Sequence, residues 1–136
     1  MISSKTNYRV PYADTDQMGY MYYGLYAKLY EMGRAELVRD LGITYKDLES
    51  VHKISMPVLH LECRYLIPAT YDELLTIESR LEVMPTKMIV FHHTVFNERG
   101  KTINKGVVKL FFINQKTEKR VSAPAILTDK LQAYFG

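Results

Sequence analysis

The sequence predicts an α+β fold in which a curved antiparallel sheet of five strands wraps around one long central helix. Three observations predict it: a strand-like segment near the start, a helical apolar period from about residue 22 to 41, and alternating apolar patterns through the second half. A single helix can cover five strands only if the sheet curls around it. Sheet surface that remains open can be covered by a second copy of the chain.

The segment before the helix predicts a strand and then a turn. Residues 6–13 fit a short strand, in which Pro11 favours a sheet edge or a bulge because it has no N–H for the ladder. Residues 14–20 fit a turn, since they contain Asp14, Asp16 and Gly19. The turn therefore delivers two carboxylates to the start of the helix.

The long helix is predicted from a stripe of residues at three- to four-residue spacing. These residues are Tyr26, Leu29, Tyr30, Gly33, Leu37 and Leu41. Gly42 is a typical residue just past a helix C-terminus, and a short second helix is expected at about residues 44–49.

The second half of the chain predicts four more strands. Apolar and polar residues alternate, or Val, Ile and Phe dominate, at residues 59–65, 75–83, 87–97 and 102–114. A hairpin turn at residues 97–100 joins the last two strands, and residues 124–135 fit a terminal helix.

Composition restricts the classes of function. A chain of 136 residues without a linker or a repeat predicts one domain, residues 1–136. The net charge is +3 and no run of Lys or Arg occurs, which argues against nucleic-acid binding. No apolar leader or stretch long enough to span a membrane is present, and Cys63 is the single cysteine. We therefore expect a cytoplasmic protein without disulfides.

The two aspartates before the helix suggest chemistry. The first N–H groups of a helix have no intrahelical acceptor, so a carboxylate next to them can attack or activate water while the amides hold a developing oxyanion. That arrangement suits acyl transfer. The structural alternative is that Asp14 and Asp16 only shape a turn or cap the helix, which is the more common role of Asp in this position.

Residues 8–42 resemble the N-terminal signature of the hot-dog fold acyl-CoA thioesterases, and most closely the 4-hydroxybenzoyl-CoA thioesterase-like group. The resemblance rests on the Asp-x-Asp pair at 14 and 16, Gly19, the aromatic-rich helix start, and the later Glu31 and Arg34. It implies one hot-dog domain that hydrolyses an acyl thioester of coenzyme A or of acyl carrier protein.

The resemblance also implies roles for individual residues. Asp16 matches the catalytic carboxylate, and the backbone around Tyr23 and Gly24 matches the amides that polarise the thioester carbonyl. Tyr23 and Met18 are expected to line the acyl pocket. Leu25 stands where the family pattern has Asn, a residue that orders the turn. Asp14 is expected to form the turn through a side-chain-to-backbone bond.

Coenzyme A carries phosphates that need cations. Candidates after the helix are Arg64, Lys87, Lys119 and Arg120. No cofactor is expected, and no metal either, because the His and Cys spacing fits no metal site and the adjacent His92 and His93 point to opposite faces of a strand.

Several alternatives remain open at this stage. Asp16 can act as a nucleophile or as a general base. A hot-dog dehydratase or hydratase, which uses an Asp with a nearby His, is disfavoured because the first histidine, His52, lies well past the helix. A non-catalytic acyl-CoA binder on the same fold is the principal alternative. We expect a dimer that shares its cleft between subunits, or a tetramer of two such dimers. Glu31 and Arg34 can pair with each other or face a partner.

Overall fold

A computed structural model describes residues 1–136 and has the predicted architecture, an antiparallel sheet curled around a long helix. The helices are α1 (Tyr26–Asp40), α2 (Tyr45–Ser50) and α3 (Ala125–Phe135). The strands are β1 (Ile2–Arg9), β2 (Ile54–Ser55), β3 (Val58–Tyr65), β4 (Leu74–Leu81), β5 (Met88–Phe96), β6 (Thr102–Asn114) and β7 (Lys119–Val121).

Five long strands form the sheet in the spatial order β1-β4-β5-β6-β3, and every neighbouring pair is antiparallel. The short strands β2 and β7 pair with the end of β6 around Asn114. Strand β3 pairs only with β6, so its other edge is free. This edge is the one long unpaired edge that carries mostly apolar side chains.

The first strand differs from its prediction. It covers Ile2–Arg9 rather than residues 6–13, and it pairs with β4 from Ile2↔Leu81 to Arg9↔Leu74. Pro11 lies beyond the strand, where it precedes a 3-10 turn at Tyr12–Asp14. The sequence of β1 is mostly polar, so its pairing partner determines its structure more than its own apolar pattern does.

Helix α1 buries the predicted stripe, since all six of its residues are buried. The helix begins at Tyr26 rather than near Tyr22, because Tyr23–Leu25 form a separate 3-10 turn. Gly33 permits close contact with the sheet, as a Cβ there would lie 2.2 Å from Ser79 Oγ. Gly42 has the predicted left-handed conformation past the helix, with φ of +84°.

We call the contact between α1 and the inner sheet face around Tyr30, Ser79, His93, Asn104 and Gly106 the helix–sheet seam. The rings of Tyr30 and His93 stack with centroids 4.7 Å apart. The Tyr30 hydroxyl donates to Asn104 Oδ1, and Ser79 Oγ lies 2.8 Å from His93 Nδ1. A Cβ at Gly106 would lie 2.2 Å from the Tyr30 ring. The seam is thus closely packed and its polar groups bond mainly to each other.

Two sequence expectations concern this region. His93 is buried in the seam, whereas His92 lies on the outer face near Glu82, so the two histidines do point to opposite faces. The apolar alternation of residues 59–65 predicts a buried Cys63, but the residue is only half-buried, because it lies on the edge strand β3. Its sulfur lies 3.3 Å from both the Tyr30 hydroxyl and Asn104 Nδ2.

None of the helices is long and apolar enough to cross a membrane.

Candidate active site

Residues 11–25, here called the site segment, connect β1 to α1 and are anchored by backbone hydrogen bonds. The Met21 amide donates to Ala69 O over 2.7 Å, and the Tyr22 amide donates to Asp14 O over 2.7 Å. Isolated bridges join Thr15 to Met21 and Tyr20 to Thr70. These bonds fix the segment against the loop that follows β3.

Asp16 has two carboxylate oxygens in different environments. Its Oδ1 accepts hydrogen bonds from the amides of Met18 (2.8 Å) and Tyr20 (3.2 Å). No hydrogen bond or ion pair involves its Oδ2, and the residue is half-buried. The turn therefore orients the carboxylate through one oxygen and leaves the other without a partner in the chain.

Asp14 is held by side chains instead. Its Oδ2 accepts a hydrogen bond from the Tyr8 hydroxyl and lies 3.6 Å from Lys28 Nζ, which itself donates to the Tyr8 hydroxyl over 2.9 Å. Burial and the bond to Asp14 raise the pKa of Tyr8. The expected side-chain-to-backbone bond at Asp14 is therefore wrong. Asp16 makes the turn bonds, while Asp14 ties the segment to β1 and α1.

A cavity of about 220 Å³ lies beside Asp16. Eight of its ten lining residues are hydrophobic. The lining consists of Asp16, Met18, Tyr20, Met21, Tyr23, Tyr26, Tyr65, Leu66, Ile67 and Pro68. The cavity thus combines one carboxylate with an otherwise apolar and aromatic wall, as small-molecule sites commonly do.

The start of α1 supplies free amides near this cavity. In this stretch Met21, Tyr22 and Leu25 donate turn hydrogen bonds, but Tyr23 and Gly24 do not. The N–H groups of Tyr23 and Gly24 are therefore the unsatisfied donors that the beginning of a helix provides. Tyr23 is also part of the cavity wall, and Gly24 follows it directly in the chain.

Leu25 does not leave the turn disordered. Its amide donates to Tyr22 O over 3.1 Å, and its side chain packs against the core. The Tyr65 hydroxyl donates to Tyr23 O over 3.2 Å and ties the turn to the end of β3. Backbone hydrogen bonds and Tyr65 thus order this turn, although Leu25 replaces the Asn of the family pattern.

Three of the four tyrosine rings that line the cavity contact one another. The Tyr65 ring makes edge-to-face contacts with Tyr23 and Tyr26, with centroids 6.2 and 5.5 Å apart. Tyr26 is buried, and its burial raises its pKa to about 12. Its hydroxyl consequently stays neutral across the physiological range and offers polarity without charge.

The structure brings some predicted site residues together and leaves others apart. Asp16, Met18 and Tyr23 share the cavity, and Gly24 adjoins it. Arg64 is exposed on β3 next to Tyr65, in a separate surface groove with Arg80, His92 and Lys105. Lys87 is exposed just before β5. The next residue pairs with Phe111, so Lys87 lies at the end of β6 that is far from Asn104. No group of His, Cys, Asp and Glu could hold a metal ion.

Sequence reasoning missed the contribution of the β3 end to the cavity. Tyr65, Leu66, Ile67 and Pro68 all line it and are exposed. A signal was present, because this run breaks the apolar–polar alternation of β3 and places four apolar or aromatic residues in succession.

Comparisons with known proteins agree in pointing to one family. Residues 18–104 match the thioesterase superfamily. The acyl-CoA thioesterase YbgC of Haemophilus influenzae is 28% identical over 116 residues, which are 85% of each chain. A DHNA-CoA thioesterase from Staphylococcus aureus is 31% identical, with a TM-score of 0.89 over 98% of this chain and 89% of that one.

A more distant solved structure supports the fold alone. The 1,4-dihydroxy-2-naphthoyl-CoA thioesterase from Synechocystis is 14% identical, with a TM-score of 0.84 over 96% of each chain.

Proposed function

Because the chain belongs to the thioesterase superfamily, we propose that it hydrolyses acyl-CoA thioesters to a free acid and coenzyme A, with Asp16 as the catalytic residue. The observation that carries this proposal is the state of the Asp16 carboxylate. One oxygen is fixed by two amides, the other is unbonded, and the residue lines an apolar cavity.

The substrate carbonyl would be polarised at the start of α1. The free N–H groups of Tyr23 and Gly24 can donate to the carbonyl oxygen, and the positive end of the helix dipole adds to their effect. These donors are fixed by the turn before substrate arrives. Pre-oriented donors favour the transition state because they need no reorganisation when negative charge develops.

Two chemical routes fit this geometry. In the first, Asp16 Oδ2 attacks the carbonyl carbon, coenzyme A leaves as a thiolate, and water hydrolyses the resulting mixed anhydride. In the second, Asp16 takes a proton from water, the resulting hydroxide attacks the carbonyl, and the same thiolate leaves. Both routes regenerate the carboxylate and consume one water. A thiolate is a good leaving group, so neither route requires a separate general acid.

The cavity volume bears on the acyl group. About 220 Å³ is less than the 300–1,000 Å³ typical of sites for drug-sized ligands. We therefore expect compact acyl groups, aromatic ones included, to be better substrates than long fatty chains. A panel of benzoyl-, hexanoyl- and palmitoyl-CoA would test this, and comparable kcat/KM for the palmitoyl ester would contradict it.

The cleft is proposed to be completed by a second copy of the chain. Strand β3 has a free edge, and its Val58, Leu59 and Leu61 are 49%, 47% and 41% exposed. A long apolar edge strand is a ready site for pairing with another strand. Since β3 leads directly into the cavity wall at Tyr65, a partner on this edge would lie next to the site.

Arg64 and Lys87 retain their predicted role as contacts for the phosphates of coenzyme A. Arg64 lies on the same edge strand as Tyr65, whereas Lys87 could reach the site only from the second copy. Arg64→Ala should raise KM for acyl-CoA but not for the matching acyl-N-acetylcysteamine, which has no phosphate. Equal KM changes for both esters would remove Arg64 from this role.

Asp16→Asn is the decisive variant. An amide oxygen can still accept the turn bonds from Met18 and Tyr20, so the fold is retained while the carboxylate is lost. We expect kcat to fall roughly 100- to 10,000-fold. Release of coenzyme A would be followed with a thiol-reactive chromophore, after subtraction of the signal from Cys63 in enzyme without substrate.

Asp14→Asn is the matched control, because it removes a carboxylate two residues away that has no place in the cavity wall. It should lose far less activity than Asp16→Asn. Equal losses of activity in the two variants would indicate that Asp16 has only a structural role. An unchanged rate in Asp16→Asn would refute its assignment as the catalytic residue.

The alternative function is non-catalytic binding of an acyl-CoA. One observation favours it. The Asp16 side chain already has a structural role, because it accepts the hydrogen bonds of the turn. On this alternative, the wild-type chain binds acyl-CoA in equilibrium dialysis and releases no thiol at any concentration.

A further inference from the structure

Arg34 is a buried cation without an acidic partner. It lies on α1 and is only 7% exposed. None of the ion pairs within 4.0 Å includes it, so it does not pair with Glu31 three residues earlier. Buried Arg residues are normally paired, which makes this guanidinium an exception.

The part of Arg34 that reaches the surface is the end of its guanidinium. Its Nε is fully buried without a hydrogen bond, as are the Tyr45 hydroxyl and His93 Nε2. The Nη atoms are neither fully buried nor hydrogen-bonded, so they carry the remaining exposure. The guanidinium lies close to the Tyr45 hydroxyl of α2, and its partly exposed Nη atoms have no carboxylate partner within the chain.

This end faces the side of α1 that lies toward β3. The opposite side of the helix faces β1, because Ser4 Oγ donates to Asp40 Oδ2 over 2.7 Å. Between the two sides, Tyr30 reaches β6 through Asn104. At 3.6 residues per turn, Arg34 and Glu31 lie beyond Tyr30 and away from Asp40. Both therefore lie on the side of α1 that faces away from β1 and toward β3.

Glu31 complements Arg34 on this same side. It is exposed and makes neither a hydrogen bond nor an ion pair within the chain. One helix side thus carries an unpaired carboxylate and an unpaired guanidinium three residues apart. Such a pair is self-complementary across a two-fold axis, since residue i of one copy meets residue j of the other and the reverse.

We propose that Glu31 of a second copy is the counter-ion of Arg34, in a reciprocal pair across antiparallel α1 helices. The inference rests on the proposed dimer and assigns to it residues that hold the two copies in register. The apolar edge of β3 supplies contact area beside the pair, and the two ion pairs specify orientation. Neither pair can form in a single chain.

The test uses charge reversal in the full-length protein, with the dimer dissociation constant measured by sedimentation velocity. Glu31→Arg places two cations opposite each other at both contacts and should weaken the dimer roughly 10- to 100-fold. Arg34→Glu should do the same with two anions. An equimolar mixture of the two variants should form a heterodimer as stable as the wild type, because both contacts then join opposite charges.

Glu36→Arg is the control, since Glu36 lies on another side of α1 and pairs with Arg39. It should dimerise like the wild type. If circular dichroism shows that Arg34→Glu does not fold, Glu31→Arg alone is compared at low and high salt. Screening of the repulsion should then restore its dimer, since surface charges interact less at high ionic strength.

Three results would overturn the inference: a Glu31→Arg dimer as stable as the wild type, a mixture no more stable than its components, or a wild-type chain that stays monomeric. Thiol release by the wild type, assayed separately, distinguishes these results from failure of the proposed function. An active dimer that tolerates Glu31→Arg refutes the ion pair alone.

Discussion

The site segment and the helix–sheet seam both combine tyrosine with polar groups, but the hydrogen bonds of these groups differ. In the seam, the Tyr30 hydroxyl bonds to Asn104 and the Ser79 hydroxyl bonds to His93, both inside the fold. In the site segment, Asp16 Oδ2 and the amides of Tyr23 and Gly24 remain unbonded. Residue type alone therefore does not distinguish the two regions; an unbonded carboxylate oxygen on a residue that lines an apolar cavity does.

The sharpest test of this contrast uses two glycines that each lie against a tyrosine ring. Alanine at Gly106 would put a Cβ 2.2 Å from the buried Tyr30 ring, and alanine at Gly24 would put one 2.6 Å from the exposed Tyr22 ring. Tyr30 cannot move without breaking the seam, so Gly106→Ala should destabilise the fold by about 3 kcal/mol. Tyr22 can swing into solvent, so Gly24→Ala should change stability by less than about 0.5 kcal/mol.

Urea unfolding of both variants measures this difference, and far-UV circular dichroism shows whether Gly106→Ala folds at all. Equal destabilisation by the two alanines would mean that the site segment is packed as rigidly as the seam.

A second prediction concerns acid stability of the seam. Burial, and then the positive charge of Arg34, lower the pKa of His93 from 6.5 to about 3. His92 on the same strand and Arg80 on β4 add smaller repulsions. The unfolded chain therefore binds a proton that the folded chain does not, and stability falls as the pH drops below about 6.5, by roughly 1.4 kcal/mol per unit.

His93→Gln should flatten this dependence, because Gln does not titrate. His92→Gln is the control, since it removes a neighbouring histidine on the outer face and should leave the slope in place. The measurement is the free energy of unfolding in urea between pH 7 and 5. A slope unchanged by His93→Gln would exclude His93 as its cause.

A third prediction concerns the anchor of the site segment. Tyr8→Phe removes the hydroxyl that bonds Asp14 and Lys28 and leaves the ring in place. This partly exposed network should contribute about 1 kcal/mol. The loss should appear chiefly as faster hydrogen exchange at the Tyr22 amide, which bonds Asp14 O. Faster exchange in β5 instead would indicate a general loss of stability.

The smallest expected effect is that of Tyr65→Phe. It removes one exposed hydrogen bond of 3.2 Å to Tyr23 O and keeps the aromatic wall. We expect kcat/KM to fall by about two- to five-fold, from a loss of about 0.5–1 kcal/mol. Tyr65→Ala, which also removes the wall, should cost more, and equal losses would show that the ring contributes nothing to substrate binding.

Periodicity in the sequence predicted the elements that bury apolar residues. The stripe of α1 and the strands β4, β5 and β6 were found near their expected bounds, and the family and its enzyme class, a thioester hydrolase, are confirmed. Strand β1 was misplaced because its polar sequence takes its structure from pairing with β4. The two-residue strand β2 and the three-residue β7 were missed because such short segments have no measurable period.

The sequence indicated the lining of the candidate cavity only where the lining residues are close together in the chain. Asp16, Met18 and Tyr23 lie within eight residues of each other, so one motif could indicate them all. Tyr65 and Pro68 reach the same cavity from more than 40 residues away through the fold, and no local pattern encodes that contact. Similarly, the motif contained both aspartates but not their division of roles, which depends on Tyr8 and Lys28.

The distribution of tyrosine has an optical consequence. The chain has no tryptophan, and seven of its 11 tyrosines fall within residues 8–30, with Tyr65 packed against two of them. Four of the 11, Tyr20, Tyr23, Tyr26 and Tyr65, line the cavity, so part of the near-ultraviolet absorption and emission originates at its wall. Ligand entry can be recorded from the unlabelled protein as a change in tyrosine fluorescence, which gives an affinity even for thioesters that are never turned over.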